Sequence, residues 1–242
     1  MTHPGRPSWI APDPAVLDGL AKSLDASFPH YDANVREWLP AHRQAAILDY
    51  GCGPGGFLRY VGLAGYANVT GFDVDARYAA FCRTHSRARI AQADDGTAFL
   101  RSAAGGYDFI LAREVAYYVP RPELAGWFTA LAGALRPGGR LVIEVFNGAP
   151  LSGLWPWMND PYITTVFSEH SLRALAEGAG LTIIVLRSER YPRKGLRQLA
   201  WLAGRKLLGR LWSLVYLLER GRDPRNPTLF GKSLVLVAER HA

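Results

Sequence analysis

A group of glycines and acidic residues has the residue types and spacing needed to bind a nucleotide-like ligand. The run ILDYGCGPGGF places Gly51, Gly53 and Gly55 between an apolar segment and a helical pattern. Glycines at such a junction let the backbone turn sharply and approach a ligand, and the free amides at the start of the helix attract polar groups. With Gly56 the spacing also matches GxGxxG, a dinucleotide fingerprint that is a weak indication on its own.

Asp49 distinguishes between the possible ligand classes. Its carboxylate comes two residues before Gly51, at the end of the apolar segment. There it would repel a pyrophosphate but attract the cationic amino group of an amino-acid-like ligand. We therefore expect a nucleotide-like ligand that carries an amino group rather than a dinucleotide.

Short apolar runs alternate with longer helical stretches along the chain, which predicts a parallel sheet with crossover helices. Several runs, such as ILDY and LVIEVF, are almost continuously apolar, as strands covered on both faces should be. The predicted strands are 46–50, 69–74, 89–93, 107–112, 140–146, 181–187 and 233–239. The predicted helices are 16–28, 33–39, 56–64, 76–85, 96–102, 121–135 and 168–178.

The run DYGCGPGG resembles the first motif of class I S-adenosylmethionine-dependent methyltransferases, and GFDVD, YDFILAREV and LRPGGRLVIEVFN extend the resemblance. It implies an α/β fold with a doubly wound, seven-stranded, mostly parallel Rossmann-like sheet whose last strand is antiparallel. It also implies S-adenosylmethionine as cofactor. The predicted units are an N-terminal helical cap (1–44), the cofactor-binding core (45–190), a helical insertion (191–231) and the last core strand (232–242).

The resemblance assigns a role to each motif residue. Asp49 and the backbone of Gly51, Gly53 and Gly55 would hold the methionine portion. Asp73, which ends the second predicted strand, would accept hydrogen bonds from both ribose hydroxyls, since a carboxylate offers two acceptor oxygens.

Four further residues fall at the predicted edge of the cofactor pocket. Asp94 would bind the adenine amino group, and its neighbour Asp95 is the alternative because either residue can also cap a helix. Arg113 and Glu114 follow the fourth strand and would border the pocket.

The segment after the fifth strand is long and aromatic, and it resembles the corresponding segment of bacterial small-molecule and glycan O-methyltransferases. The resemblance rests on Asp160-Pro161 and on the run 167–172, FSEHSL. Methylation of a hydroxyl also requires a group that removes the proton. In order of preference, the candidate bases are His170, Asp160, Tyr117, Tyr118 and Glu144. Trp155, Trp157 and Tyr162 suit a sugar ring but are equally consistent with local packing.

We therefore predict O-methylation of a small molecule or glycan, which is lipid-linked in one version of the hypothesis. The first alternative is a protein or RNA methyltransferase. The second is a module that binds the cofactor without catalysis. The fourth strand is followed by AREV and not by the Asp/Asn-Pro-Pro-aromatic motif of enzymes that methylate base amino groups, which disfavours a nucleic-acid substrate.

The cysteine count and the chain ends suggest a cytoplasmic protein. Cys52 and Cys82 cannot form a disulfide framework, and no Cys/His cluster has zinc-ligand spacing, so no metal is expected. We expect Cys52 to be a small packing residue. The first residues lack the apolar core of a signal peptide, and the apolar stretch 211–218 is too short to span a bilayer.

The positive charge is concentrated near the end of the chain. The formal net charge is +7, but residues 187–242 contain 13 Lys/Arg against 4 Asp/Glu. Within this segment, 195–220 has leucines at helical spacing and basic residues largely on the other side. Packing on the domain or in a homodimer is one interpretation, and docking at an anionic membrane is another, with nucleic-acid binding the least favoured. Gly204 and Gly209 weaken the expectation of one continuous helix.

Overall fold

The computed structural model describes residues 19, 23–192 and 195–241. Of the predicted N-terminal cap, the residues before 23 other than Gly19 lie outside this description, and they include six of the thirteen residues of the predicted helix 16–28. The described part of the cap contains a 3₁₀ turn at Leu24–Ser27, helix α1 at Phe28–Asn34 and a second 3₁₀ turn at Arg36–Trp38.

The prediction of a helix over 33–39 is wrong, because α1 ends at Asn34 and only a short 3₁₀ turn follows. Two prolines explain the difference. Pro29 lies in the first turn of α1, where its missing N–H costs nothing. Pro40 forces Leu39 into an extended conformation, which stops any helix before it.

Seven strands form one sheet in the order β3-β2-β1-β4-β5-β7-β6. Strands β1 to β5 are parallel, and β7 runs antiparallel to both β5 and β6. This confirms the predicted doubly wound, mostly parallel α/β sheet. The strands are Ile47–Tyr50, Val69–Asp73, Arg89–Gln92, Tyr107–Arg113, Leu135–Phe146, Leu181–Ser188 and Ser233–Arg240.

Each strand lies within one residue of its predicted bounds except β5, which begins at Leu135 instead of 140. The run Arg136-Pro137-Gly138-Gly139, which comes before the predicted strand, is an irregular first part of it. Gly138 has a φ of +74°, and the pairing with β4 shifts register between Tyr107 and Phe109. Leu135 can therefore pair with β4 before the regular ladder begins.

Helices cover both faces of the sheet. The remaining helices are α2 (Gly56–Leu63), α3 (Ala76–His85), α4 (Gly96–Ser102), α5 (Leu124–Ala134), α6 (Trp155–Asn159), α7 (Glu169–Gly178) and α8 (Gly195–Arg220). One apolar cluster contains Trp127 and Phe128 of α5, and the other contains Phe57 of α2. All three are almost fully buried. Burial on both faces explains why the strand sequences are nearly continuously apolar.

The strand order reverses between β1 and β4: β2 and β3 follow on one side of β1, and β5 follows on the other side, beyond β4. In sheets of this kind ligands bind beyond the carboxyl ends of the strands at such a point. Because β7 is antiparallel, its first residues lie at the same edge as the last residues of β5 and β6. We call this edge of the sheet the carboxyl edge.

The helical insertion before β7 is one continuous helix, α8, of 26 residues. The glycines at 204 and 209 therefore do not divide it, although each costs about 1 kcal/mol relative to alanine. No residue of α8 is buried. Within the described residues, no helix combines the length and the apolar character needed to cross a bilayer.

Glu169, in the first turn of α7, anchors the chain where it returns to β7. Its buried carboxylate accepts hydrogen bonds from the backbone of Thr228 and Leu229 at 3.1 and 2.8 Å, and from the Thr228 hydroxyl at 2.9 Å. Ser168 caps the same helix in a reciprocal arrangement with Ser171. The start of α7 thus fixes the segment that leads into the last strand.

We predict that Glu169→Ala lowers the free energy of unfolding by about 2–4 kcal/mol, because buried backbone N–H groups lose their acceptor. Urea unfolding monitored by circular dichroism measures this change. Glu177→Ala on the same helix is the matched control, since Glu177 faces solvent with Arg173 at 3.4 Å and should change stability by less than about 0.5 kcal/mol. Equal effects of the two substitutions would contradict the anchoring role.

Candidate functional site

The glycine-rich turn after β1 has the backbone that its sequence predicts. Gly51, Gly53 and Gly55 have φ angles of +77°, +49° and +85°. A Cβ atom at Gly51 would lie 2.2 Å from Val115, whereas a Cβ at Gly53 would have no atom within 4 Å. The turn is thus tightly packed on its inner side and open at Gly53, as a backbone that approaches a ligand must be.

Two cysteines pack beneath this turn. Cys52 and Cys82 are both buried, and the Cys82 thiol lies 3.2 Å from the carbonyl oxygen of Gly53. The contact with Cys82 and burial raise the pKa of the Cys52 thiol, so the thiol stays protonated. This environment agrees with the predicted packing role.

Asp49 is a buried carboxylate at the end of β1, 4% exposed. Among the described residues no group donates a hydrogen bond to it. Burial and the nearby charge of Asp73 raise its pKa to about 8, while Arg113 opposes the shift. A cationic amino group would satisfy this carboxylate, so the residues present fit the methionine portion of S-adenosylmethionine.

Asp73, at the end of β2, holds the glycine-rich turn in place. One of its oxygens accepts a hydrogen bond from the Gly53 N–H at 2.8 Å, and the other accepts from the Asp75 N–H at 2.9 Å. Each carboxylate oxygen has a second lone pair. The predicted role toward a ribose diol is therefore compatible with these two contacts.

The structure separates the roles of Asp94 and Asp95. Asp95 caps α4, because its carboxylate accepts hydrogen bonds from Thr97 and Ala98 N–H groups, both at 2.9 Å. Asp94 follows β3 and receives only a long 3.5 Å contact from the Gln92 amide. These contacts favour Asp94 for the adenine amino group, which stays a prediction.

Arg113 ends β4 between two carboxylates. Its guanidinium lies 3.2 Å from Glu114 and 3.3 Å from Glu144. Burial would lower the pKa of Arg113, but the charges of Glu114 and Glu144 outweigh this effect and raise it. Glu114 has a φ of 57°, the left-handed conformation that non-glycine residues rarely adopt, which is common where a backbone is shaped around a site.

A histidine that the sequence analysis did not single out completes this cluster. The Nε2 of His30, on α1, lies 2.7 Å from the carboxylate of Glu144, on β5. Tyr31, the next residue, places its ring 5.8 Å from the Arg113 guanidinium. Helix α1 thus covers the carboxyl edge beside Asp49 and Arg113. His30 and Glu144 are 114 residues apart in the chain, so no local sequence pattern predicts that they pair.

His30, Glu144 and Glu189 offer potential metal-ligand atoms within 4.8 Å of one another. The protein itself balances both carboxylates, because Arg113 lies 3.3 Å from Glu144 and Arg205 lies 3.8 Å from Glu189. A cation would meet these guanidinium groups. The arrangement is therefore better suited to holding a histidine than a metal ion.

Asp160, a predicted base, lies beside the segment that follows β4. It accepts a hydrogen bond from the Tyr118 hydroxyl at 2.9 Å and from the Tyr162 N–H at 2.9 Å. Tyr117 is buried against Phe146, with ring centroids 4.9 Å apart. Burial and the charge of Glu114 raise the pKa of Tyr117 well above its usual range, which makes it a poor base.

His170, the first-ranked base, is not joined to this cluster. Its side chain is exposed on the first turn of α7, and within the described residues its ion-pair partner is the adjacent Glu169, at 3.9 Å. The structure therefore brings together Asp49, Asp73, Arg113 and Glu144 but gives His170 no contact with them.

Much of the chain that forms this site matches a known protein family. Residues 28–186, about two thirds of the chain, match a family model described as a methyltransferase domain. The chain belongs to this methyltransferase family. This region is thus an S-adenosylmethionine-dependent methyltransferase domain, and its glycine-rich turn and acidic strand ends are where the family's cofactor is expected.

Two curated relatives show which acceptors occur among similar proteins. A ubiquinone biosynthesis O-methyltransferase of Xanthomonas axonopodis pv. citri is 30% identical over 141 residues, which cover 55% of this chain and 56% of that protein. A ribosomal protein L11 methyltransferase of Burkholderia thailandensis is 28% identical over 153 residues, which cover 59% and 49%. The methyltransferase thus matches only about half the length of these relatives.

Solved structures agree with the fold. An S-adenosylmethionine-dependent methyltransferase from Archaeoglobus fulgidus superimposes with a TM-score of 0.61 at 15% identity, covering 92% of this chain and 94% of that chain. One from Mesorhizobium loti gives 0.59 at 20% identity, covering 93% and 100%. At these identities the likeness concerns the fold alone.

The raised pKa of Asp49 predicts that cofactor affinity depends on pH. Below pH 8 the buried carboxyl must lose a proton before it can pair with the ligand's ammonium group, and above about pH 8 the ligand's amino group must gain one. We expect calorimetry to show the highest affinity for S-adenosylmethionine near pH 8, with up to about a tenfold decrease per pH unit on the acidic side.

Asp49→Asn is the control for this pH dependence. It should weaken binding at pH 8 and remove the decrease on the acidic side, because an amide does not titrate. If the unsubstituted protein binds equally at pH 6 and pH 8, Asp49 does not pair with the cofactor.

Asp94 and Asp95 form a natural pair of test and control residues. We expect Asp94→Ala to weaken S-adenosylmethionine binding about tenfold without changing Tm, because a lost ligand hydrogen bond is worth about 1–2 kcal/mol. Asp95→Ala should lower Tm by roughly 2–4 °C through loss of the α4 cap, with little change in affinity. Calorimetry and thermal unfolding distinguish the two, and the opposite pattern would assign adenine binding to Asp95.

Proposed function

We propose that this methyltransferase methylates a hydroxyl oxygen of a small molecule or glycan. The observation that carries the proposal is the His30–Glu144 pair at the carboxyl edge. A hydroxyl must give up a proton as it is methylated, and a histidine paired with a buried carboxylate is suited to receive it. The similarity to an O-methyltransferase of ubiquinone biosynthesis supports the same reaction type.

Bound S-adenosylmethionine supplies an electrophilic methyl group. The acceptor oxygen forms its bond to this carbon as the carbon–sulfur bond breaks, the electron pair of that bond stays on sulfur, and the hydroxyl proton moves to His30. Asp49, Asp73 and Asp94 hold the cofactor, so its position relative to α1 is set before the acceptor arrives. Holding both reactants in place is the largest contribution a protein makes to such a displacement.

The hydrogen-bond partners of His30 define which nitrogen takes the proton. Nε2 faces Glu144, so it carries the hydrogen, and Nδ1 has the lone pair. The Asn34 amide nitrogen lies 3.5 Å from Nδ1, but its two hydrogens are used by the carbonyl oxygens of His30 and Arg190, at 3.2 and 3.0 Å. Nδ1 is therefore left to an acceptor hydroxyl.

Glu144 and Asn34 act as positioning residues. Glu144 is 2% exposed and would stabilise the imidazolium that forms when His30 takes up a proton. The oxygen of the Asn34 side chain accepts from the Arg190 N–H at 2.7 Å and from the Arg187 guanidinium at 2.8 Å. These contacts tie the end of α1 to the end of β6 and hold the imidazole in place.

A small aromatic recess, with room for about one water molecule, lies near the ends of β4 and β5, and we place a ring-shaped acceptor against its rim. It is lined by Tyr117, Phe146, Trp157 and Ile163. Aromatic faces pack well on sugars and phenols. We propose that Asp160 acts here by accepting the hydrogen bond from the Tyr118 hydroxyl, which fixes the Tyr118 ring beside the acceptor.

A protein acceptor is the rival function, since a ribosomal protein methyltransferase is also a relative. An amine nucleophile also has to lose a proton, so the His30–Glu144 pair alone does not separate the two. The aromatic side chains at the rim of the recess, with Trp157 51% exposed, favour a ring over a peptide backbone. Acceptor-dependent release of S-adenosylhomocysteine from a panel of phenols, sugars and lipid-linked sugars tests the proposal. Release with lysine peptides alone would overturn it.

With an acceptor in hand, we expect His30→Gln to lower kcat by about 10²–10⁴-fold, while calorimetric affinity for S-adenosylmethionine changes less than about twofold. kcat falls while cofactor affinity is kept because His30 receives the acceptor's proton and does not bind the cofactor. His170→Gln is the comparison variant, and we expect near-normal kcat. Loss of activity in His170→Gln with retention in His30→Gln would transfer the base to α7.

A further inference from the structure

Helix α8 packs on the domain through one face only. The half-buried residues recur mostly every three or four positions and lie toward the domain: Gln198, Leu202, Arg205, Gly209, Trp212, Val215 and Tyr216. The Arg205 guanidinium lies 4.6 Å from the ring centre of Tyr191, and the Tyr216 hydroxyl donates to the carbonyl oxygen of Ala149 at 2.9 Å. The contact face is therefore partly polar.

The opposite face of α8 is a stripe of exposed apolar residues. On a helix with about 100° between successive residues, the following all fall within one narrow arc facing away from the domain: Leu196, Ala200, Ala203, Leu207, Leu211, Leu214 and Leu218. Leu207 is 68% exposed and Leu218 is 76% exposed. We call these seven residues the outer stripe. A row of exposed leucines on a soluble domain usually marks an interaction surface.

The spacing of the outer stripe fits a flat surface. Leu196, Leu207 and Leu218 are eleven residues apart, which keeps the stripe nearly parallel to the helix axis. A left-handed coiled-coil partner would instead require a seven-residue repeat. A seven-residue repeat starting at Ala203 would bring Arg210 into the contact. The full length of the outer stripe thus matches a planar partner better than a left-handed coiled coil, whose repeat is broken at Arg210.

The charged residues around the outer stripe indicate the sign of the charge that its partner carries. Helix α8 contains five Lys or Arg residues and one acidic residue, Glu219. Lys206 and Arg210 are exposed beside the stripe on one flank, and Arg197 is exposed on the other. Exposed leucines with lysine and arginine at their margins are what an anionic lipid surface attracts.

Helix α8 lies at the carboxyl edge. Ala149 follows β5, Glu189 follows β6 and Phe230 precedes β7, and α8 contacts all three through Tyr216 and Arg205. A second exposed apolar group follows Ala149 in the chain: Leu151, Trp155 and Met158 are each more than 60% exposed. The side of the molecule that holds the proposed acceptor recess is thus also the side with the most exposed apolar surface.

We propose that the outer stripe of α8 docks on an anionic lipid bilayer and so brings the carboxyl edge to the membrane surface. The further statement that the acceptor is a glycan or ring carried by a membrane lipid rests on the proposed function. The docking itself does not. Docking places the acceptor recess close to a lipid-anchored substrate, which raises the local concentration of that substrate.

Vesicle flotation with the full-length protein tests the docking. We expect the protein to float with phosphatidylcholine vesicles that contain phosphatidylglycerol and to stay behind with pure phosphatidylcholine. The combined variant Leu207→Gln, Leu211→Gln and Leu214→Gln should lower vesicle binding at least tenfold. Leu63→Gln is the matched control, since Leu63 is 66% exposed on α2, away from the outer stripe, and should float like the unsubstituted protein.

A second variant separates charge from apolar burial. Lys206→Gln with Arg210→Gln should reduce flotation with anionic vesicles, and added salt should reduce flotation of the unsubstituted protein, because screening weakens headgroup attraction. Equal flotation with and without phosphatidylglycerol in the vesicles would overturn the role of the basic residues that flank the outer stripe.

Light scattering after size exclusion tests the alternative, in which the outer stripe contacts a second copy of the chain. A dimer that becomes a monomer in the triple leucine variant, together with no flotation of the unsubstituted protein, would overturn the membrane proposal in favour of self-association. S-adenosylmethionine calorimetry on the same variant should give unchanged affinity, which shows that it remains folded. Flotation needs no acceptor, so its failure is separate from failure of the proposed methyl transfer.

Discussion

The arrangement of the site depends on one electrostatic constraint: Asp49 is a buried carboxylate to which no described residue donates a hydrogen bond. An ionised carboxylate in that position is costly, and the neighbouring carboxylate of Asp73 increases the cost. Burial and the charge of Asp73 therefore favour a protonated Asp49. A ligand that brings a positive charge removes the penalty, so the same burial that destabilises the charged form gives preference to a cationic ligand.

The surrounding elements follow from the need to keep Asp49 in place. Strand β1 lies between β2 and β4, so its last residue is held from both sides. Asp73 fixes the glycine-rich turn, while Arg113 supplies the compensating positive charge and is itself restrained by Glu114 and Glu144. Helix α1 covers the cluster because His30 bonds to Glu144. A charge network, and not apolar packing alone, therefore connects the N-terminal helix to the sheet.

Local patterns were sufficient to predict most of the fold. The strands were apparent because burial on both faces demands continuous apolar runs, and the family motifs at their ends indicated the acidic residues at the carboxyl edge. Features that depend on tertiary contact were missed. His30 has no sequence pattern that links it to Glu144. His170 was ranked first because it lies in the segment that resembles O-methyltransferases, and a local pattern does not show whether a histidine in the first turn of a helix faces a site or solvent. Helix α8 continues through two glycines because 26 residues of helical hydrogen bonds outweigh their cost.

The two halves of the carboxyl edge differ in character, and the difference follows from the strand order. Beyond β1, β2 and β3 the edge ends in carboxylates, with Asp49 and Asp73 on adjacent strands, which suits a polar, charged cofactor. Beyond β5 and β6 the aromatic Phe146 lies among charged side chains, those of Glu144, Arg187 and Glu189, and this half of the edge is flanked by α8. In-line transfer requires donor and acceptor to approach a single carbon from opposite directions. Because β4 lies between the two halves, Arg113 at its end stands where they meet, and its ion pair with Glu144 links the half that would hold the cofactor to the half that would hold the acceptor.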